Sequence, residues 1–203
     1  MEDMKKIREL YLPPTDGFVV VDVPVLRYFM VDGTGPVDAE VVRVLWAAVH
    51  PIKVRAKERM GPRFVHPPLE GLFWADDMED LVAMRDPATA DASKLKWRMM
   101  IPTPDWADDA MFANGIEEAS KRLGSAPAGL RVDTYDEGTS VQIMYVGPPE
   151  DCGDLLTDMH EVFLPEHGLI AHGPHHEIYL CDTSRTPPAK HKMVLRQPVC
   201  DGA

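Results

Sequence analysis

The sequence predicts an α+β fold made of two tandem modules, each with the order strand, helix, strand, strand. Short apolar runs rich in β-branched and aromatic residues alternate with segments whose apolar residues recur at helical spacing. The same order of elements occurs twice, which is what a duplicated unit predicts. With 203 residues, 45% of them hydrophobic, the chain is long enough to bury a substantial core.

The first module is predicted over residues 17–104, after an N-terminal tail at 1–16. It opens with strand residues interrupted at Pro24. Helically spaced apolar residues follow from Pro36, and Pro51 is expected to kink or end this helix. The remaining elements are strands at 69–74 and 94–101, joined by an irregular or partly helical connection at 75–93.

The second module is predicted over residues 105–199. Asp105 is a candidate cap for a helix that stops at Gly124, and a second helix extends from Pro148 to Gly168. The predicted strands are 130–135 and 140–145, joined as a hairpin through 136–139, then 175–180 and 191–196.

Repeated residue patterns support the duplication. Lys94-Leu-Lys96 precedes Pro102 as Lys190-His-Lys192 precedes Pro198, so a K-x-K pattern and a proline six residues after its last lysine close both modules. We therefore expect one domain over residues 17–203.

Composition excludes several classes of function. A formal net charge of −12 argues against nucleic acid as the main partner, because phosphate binding depends on clustered Lys and Arg. The charged N-terminus resembles neither a signal peptide nor a membrane span, so a cytoplasmic location is expected. The scattered cysteines fit free thiols. No phosphate loop of the G-x-x-x-x-G-K type and no G-x-S-x-G elbow occurs, so neither a nucleotide cofactor nor a serine hydrolase is predicted.

Glu177 is the most informative residue, because it lies inside a strand-forming run. On a strand, Glu177 and Tyr179 share one face, while Ile178 and Leu180 take the other. A carboxylate in an apolar environment must find a partner, take up a proton or bind a ligand. The alternative is an edge-strand glutamate that pairs with a basic residue: Lys190, Lys192 or Arg196.

Several segments resemble the GyrI-like small-molecule-binding family. They are Pro68-Leu-Glu-Gly-Leu-Phe-Trp74, Lys96-Trp97 leading to Ile101-Pro102, Asp136-Glu-Gly138, Val141-Gln-Ile143, Gly147-Pro148, His175-His-Glu-Ile-Tyr-Leu180 and Leu195-Arg-Gln-Pro-Val199. The resemblance implies two modules about a pseudo-twofold axis, an antiparallel sheet with helices on one side, and a central aromatic cleft. Glu177 matches the glutamate of that cleft, which holds planar or cationic drugs. One subfamily hydrolyses the cyclopropane ring of cyclopropanoid DNA-alkylating compounds.

A cleft of this kind would take its flat apolar faces from aromatic rings. The candidates are Trp74, Trp97, Tyr145 and Tyr179. An ionised Glu177 would attract a cation, whereas burial against a neutral ligand would raise its pKa and suit it to proton transfer. For ring opening we expect Glu177 to activate water and the Tyr145 hydroxyl to stabilise the developing phenolate.

Further candidate ligand-binding residues each have a structural alternative. Glu70 is either a second cleft carboxylate or a structural hydrogen-bonding group, and Glu137 either lies in a solvated hairpin turn or reaches the ligand from a loop. Phe112 fits a helix core as well as a binding surface. Trp106, beside a helix start, fits a packing role equally. No metal is predicted, because a strand sends His175 and His176 to opposite faces.

Three functions follow. The first is a standalone protein that binds a planar, apolar xenobiotic and can hydrolyse it. The second is a non-catalytic module that sequesters cationic compounds. The third uses the cleft against another protein, as gyrase-inhibiting relatives do. Neither nucleic acid nor a membrane is expected as a partner, and the sequence leaves the oligomeric state open.

Overall fold

The structure is a computed structural model that describes residues 9–61, 65–76, 91–124 and 128–202. Nine strands lie in this part of the chain: β1 (Val19–Val23), β2 (Leu26–Thr34), β3 (Leu69–Trp74), β4 (Lys96–Pro102), β5 (Arg131–Tyr135), β6 (Gly138–Val146), β7 (Leu169–Ala171), β8 (His175–Tyr179) and β9 (Lys192–Asp201). A short helical stretch covers residues 9–11. The three longer helices are α1 (Ala39–Met60), α2 (Asp109–Leu123) and α3, a composite at 153–166 with a π-helical turn over Asp158–Phe163.

The strands form one large antiparallel sheet in the order β1-β6-β9-β8-β3-β4-β2-β5, with β7 paired to β9 outside this path. The order reads as two equivalent halves that meet where β3 pairs with β8. This confirms the predicted α+β class. It also shows that the two sequence modules exchange a strand. β1 belongs to the first module but pairs with β6 of the second, and β5 belongs to the second module but pairs with β2 of the first.

The exchange overturns the predicted hairpin at 136–139. The two strands on either side of it do not pair with each other: β5 lies at one end of the sheet and β6 lies near the other. The short connection between them crosses from one half to the other, and Gly138 adopts a positive φ of 67° within it. Glu137, expected in a solvated turn, is instead 7% exposed.

The helix starts and ends differ from prediction at two positions. The first helix continues through Pro51 to Met60, because packing of the buried Ile52 and Ala56 outweighs the backbone hydrogen bond that proline removes. The second helix is capped by Asp108 and not Asp105, with Asp108 Oδ1 accepting from the Met111 amide at 2.9 Å. Gly124 ends this helix in the left-handed conformation, as predicted.

The predicted strands at 69–74, 130–135 and 175–180 match β3, β5 and β8 to within one residue. The last strand is longer than predicted and passes through Pro198, because β7 pairs with its end at Val199 to Asp201. The two K-x-K patterns lie at equivalent places in the structure. A 3₁₀ turn ends at Lys94 just before β4, and another ends at Lys190 just before β9. Most of the predicted connection at 75–93 lies outside the described residues.

All three helices pack on one face of the sheet, as the resemblance implied. Side chains of the first half's strands pack with α1 and α2, and those of the second half pack with α3. Tyr179 of β8 contacts both of these cores, so it lies at the boundary between them. Among the described helices, none combines the length and the apolarity needed to span a membrane.

The opposite face of the sheet is partly covered by the start of the described chain. Leu10 and Tyr11 are 2% and 8% exposed and pack against Ile178 and Val194. The segment predicted as a tail therefore contributes to the core from residue 10 onward.

Candidate functional site

Glu177 lies on the helical face of the sheet at the boundary between the two halves. It is paired with Gly71 of β3 and Leu195 of β9. The Tyr179 hydroxyl donates to Glu177 Oε2 at 2.5 Å, and His175 Nε2 lies 3.8 Å from Glu177 Oε1. Alternation along β8 therefore places these three polar side chains together.

Burial raises the pKa of Glu177, although the Tyr179 hydrogen bond and nearby His176 oppose the increase. Its side chain is 20% exposed, so a ligand or water can reach it. The same burial, together with the Glu177 carboxylate, raises the pKa of Tyr179 well above its usual value. Tyr179 therefore remains a hydrogen-bond donor at neutral pH, beside a carboxylate that is a stronger base than an ordinary glutamate.

A large, mostly apolar cleft of about 1320 Å³ opens next to this group. Its wall includes one side of α1, the start of β3, the end of β8 and the loop that follows it. Its apolar members include Val37, Val42, Trp46, Val49, Ile52, Ala56, Leu69, Phe73 and Leu180. Glu177 does not itself line the cleft, but Tyr179 does and its hydroxyl donates to Glu177, so Tyr179 connects the carboxylate to the cavity.

The charged groups in the cleft wall are mainly basic. Lys53, which lies 5.1 Å over the Trp46 ring, and Lys192 line it, together with Asp182. His66 also lines it, and burial together with the nearby lysines lowers the pKa of His66. This charge pattern suits a neutral ligand better than a cation.

Trp97 shares the sheet face of Glu177 but lies in the core of the first half. It is 4% exposed, and its indole nitrogen donates to the Gly35 carbonyl at 2.9 Å. Its ring covers the α-carbon of Gly33, where a Cβ would lie 2.1 Å from the ring. Trp97 is thus a packing residue that explains Gly33, whereas Gly35 has a positive φ of 77°.

Glu177 shares a face with Gly71, because the two residues are direct partners across β8 and β3. Glu70 is one residue from Gly71 and Trp74 is three residues from it, so both side chains point to the opposite face. Trp74 packs at the edge of a separate small core with Leu72. The structure therefore does not bring Trp74 into one cleft with Tyr179.

Glu70 belongs to a buried charge network on that opposite face. His176 lies between two carboxylates, with Nε2 3.1 Å from Glu70 Oε2 and Nδ1 2.8 Å from Glu137 Oε1. Arg196 Nη1 donates to Glu137 Oε2 at 3.0 Å, and the Tyr11 hydroxyl donates to Glu70 Oε1 at 3.0 Å. With both carboxylates ionised and His176 protonated, the formal charges of this buried charge network cancel.

The pKa values of His176 and Glu137 agree with a protonated His176 and an ionised Glu137. Burial alone would lower the pKa of His176, but Glu137 and Glu70 raise it to about 9. Burial alone would raise the pKa of Glu137, but His176 and Arg196 lower it to about 2. The ion pairs balance the buried charges, although Glu70 Oε2 and His176 Nε2, 3.1 Å apart, do not form a well-aligned hydrogen bond. Such a charge-balanced network is a structural device, which is the role proposed as the alternative for Glu70.

The other candidates lie away from the Glu177 group. Tyr145 is on the same sheet face but two strands from Tyr179, about 10 Å across the sheet. Its hydroxyl donates to the Pro148 carbonyl at 3.0 Å. Phe112 is a core residue of α2, 5.7 Å from the Phe29 ring. Trp106 packs against the first-half core, and the Arg59 guanidinium lies 5.1 Å over its ring.

Sequence reasoning missed two kinds of site residue. His175 was considered only as a metal ligand, although its spacing of two from Glu177 signals a shared face. The aliphatic residues of α1 and β3 that line the cleft were not among the candidates, because nothing in their spacing separates a cavity wall from a packed core. In the part of the chain that the structure describes, no three His, Cys, Asp or Glu side chains cluster as a metal site would require.

Comparison with known proteins shows that this α+β fold belongs to a class of small-molecule-binding domains. The model of the GyrI-like small molecule binding domain matches residues 18–199, so the chain belongs to the GyrI-like family. No curated protein matches the chain closely enough to count as a relative.

Solved structures show the same fold. An uncharacterized conserved protein from Listeria innocua is 29% identical, with 97% of this chain and 98% of that chain covered and a TM-score of 0.79. A hydrolase from Listeria innocua is 29% identical, with 98% and 100% covered and a TM-score of 0.75. The EcmrR C-terminal domain is 8% identical, with 91% and 98% covered and a TM-score of 0.56, which is a likeness of fold alone.

Proposed function

We propose that this protein binds a bulky, flat and largely neutral molecule in the cleft beside Tyr179, and that Glu177 promotes its hydrolysis. The observation that carries the proposal is the double role of Tyr179, which lines the cleft and donates to Glu177. Membership of a small-molecule-binding family and the likeness to a hydrolase support it.

The reaction that best fits is opening of a strained cyclopropane ring conjugated to a carbonyl, as the family resemblance implied. Glu177 takes a proton from water, the hydroxide oxygen bonds to the ring carbon, and the ring bond breaks. Its electron pair moves to the carbonyl oxygen as a phenolate, which takes up the proton that Glu177 removed from water, so that Glu177 is ionised again. Once Glu177 holds a proton, the single O–H of Tyr179 is free to turn from the carboxylate to the developing negative charge. Tyr179 is therefore better placed for this role than Tyr145, whose hydroxyl donates to the Pro148 carbonyl.

The test is the Glu177→Gln variant. We expect it to lower turnover of a cyclopropanoid compound by about 100-fold or more, because the general base is lost. Nile red, a neutral planar dye, should still bind, because the cleft wall is unchanged. Fluorescence follows the dye, and mass spectrometry follows a product heavier by one water. Turnover equal to that of the natural protein would remove Glu177 from the mechanism.

The second candidate is sequestration of a cation without reaction, and the observation that favours it is the carboxylate among apolar side chains. In that case a planar cation such as rhodamine 6G would bind more tightly than Nile red, and Glu177→Gln would abolish the preference. No product would form with either protein. The basic side chains in the cleft wall lead us to place this candidate second.

A further inference from the structure

We propose that residues 9–15, here named the N-terminal strap, form one wall of the ligand cleft and restrict which ligands it accepts. This strap precedes residue 18, where the match to the GyrI-like domain begins. The inference rests on the proposed function, since it takes the cleft as the ligand site.

The strap is fixed to the sheet by its own backbone at two places. The Leu10 carbonyl accepts a hydrogen bond from Arg196 Nη2, which is buried in the charge network. The Pro14 carbonyl accepts from the Met144 amide at 2.9 Å. Charge-assisted bonds of the first kind are among the stronger ones, so both ends of the short segment between them hold their position.

Side chains add to this attachment. Tyr11 is 8% exposed, and its hydroxyl donates to Glu70 Oε1. Gln142 Nε2 donates to the Glu9 carbonyl at 2.6 Å, while its Oε1 accepts from Arg196 Nε at 2.9 Å. The buried charge network thus binds the strap directly, which gives this network a function for the cleft as well as for the core.

The residues between the attachments face the cavity. Leu12 and Pro13, between the two attachments, and Thr15, directly after the second, line the cleft, and Leu12 is 61% exposed. A ligand that covers an exposed leucine at the rim of an apolar cavity removes its side chain from water, and this burial favours binding. Pro13 fixes the backbone there, so the rim is preorganised for that contact.

The strap therefore favours ligands with an uncharged aliphatic or aromatic part that extends from Tyr179 to the rim. A charged group at that position would lose its hydration against Leu12 and Pro13 without gaining a partner. The other residues that line the cleft belong to the part of the chain that matches the family domain, so the strap alone supplies the contact with Leu12 and Pro13.

The experiment uses the full chain and Nile red as the probe. Leu12→Ser should weaken dye binding about fivefold or more, because one apolar contact is lost. Val25→Ser is the matched control: Val25 is 55% exposed, lies between β1 and β2 and does not line the cleft, so its binding should equal that of the natural protein. Hydrogen exchange gives a second readout, since bound dye should protect the Leu12 and Thr15 amides.

Variants of the cleft itself separate the two proposals. Leu69→Lys places a charge in the wall at the start of β3, and Phe73→Ala removes a ring from that wall. If both of these variants bind dye normally, the cleft is not the site and the proposed function fails, taking this inference with it. If they lose binding while Leu12→Ser keeps it and the strap amides stay unprotected, the cleft stands and the strap proposal is overturned.

Discussion

Neighbouring residues of β8 contribute to two very different acidic environments. His176 points to the face where Glu70 and Glu137 are compensated by nearby positive charge. Glu177, one residue later, faces Tyr179 and His175 beside the apolar cleft. The first arrangement stabilises the fold, whereas the second leaves a carboxylate whose proton affinity is increased by burial. That difference is why we assign chemistry to Glu177 alone.

The Tyr179 hydrogen bond can be tested by its effect on the pKa of Glu177. Tyr179→Phe should raise that pKa further, because the hydroxyl stabilises the ionised carboxylate. The measurement is the pH titration of the ¹³C shift of the Glu177 carboxyl carbon.

Tyr145→Phe is the control for that titration, since the Tyr145 hydroxyl donates to the Pro148 carbonyl. Its Glu177 titration should match that of the natural protein. A Glu177 pKa that stays constant or decreases in Tyr179→Phe would contradict the hydrogen bond as described.

At the scale of elements, the close contact between β2 and β4 is set by one glycine. Gly33 pairs with Trp97 across these strands, and the indole ring lies where a Cβ would be. We expect Gly33→Ala to destabilise the protein by about 1–3 kcal/mol, because the rigid ring must move out of a packed core. Urea unfolding followed by Trp fluorescence measures the change.

Gly17→Ala is the matched control, since a Cβ at residue 17 would meet nothing within 4 Å. Its free energy of unfolding should stay within about 0.5 kcal/mol of the natural value. Equal stability of the two variants would mean that the Trp97 ring can relax away from Gly33.

Local pattern was sufficient for elements whose partners are close in sequence, and insufficient where the partner is distant. The strand at Leu69–Trp74 and the helix stop at Gly124 follow from alternation and backbone preference. The pairing of β5 with β2 does not, since residues 136–139 carry a strong local hairpin signal. The same distance effect hid the site: Trp74 looked like a cleft residue until the pairing with β8 fixed its face.

For the whole molecule, the exchanged strands and the buried charge network both join the halves. The network connects Glu70 of the first half to Glu137, His176 and Arg196 of the second. Because its charges depend on protons, the stability of the joined structure must depend on pH.

The sign of that dependence follows from two residues. Glu137 has a pKa of about 2 in the folded protein against 4.5 ordinarily, so its contribution is present above pH 4.5 and is lost as the pH falls towards 2. His176 has a pKa of about 9 against 6.5, so its contribution is complete below pH 6.5 and is lost as the pH rises through 9. The network therefore stabilises most between pH 4.5 and 6.5.

We expect the free energy of unfolding to fall between pH 6.5 and 9 by an amount on the order of 3 kcal/mol at most, the value that corresponds to the His176 shift. Urea unfolding at several pH values measures it. His176→Gln is the informative variant: it should be less stable at pH 6, because it leaves Glu70 and Glu137 with less positive charge, and it should lose most of the decline above pH 6.5. A natural protein whose stability stays constant over this range, or a His176→Gln variant that retains the full decline, would show that His176 is neutral between the two carboxylates.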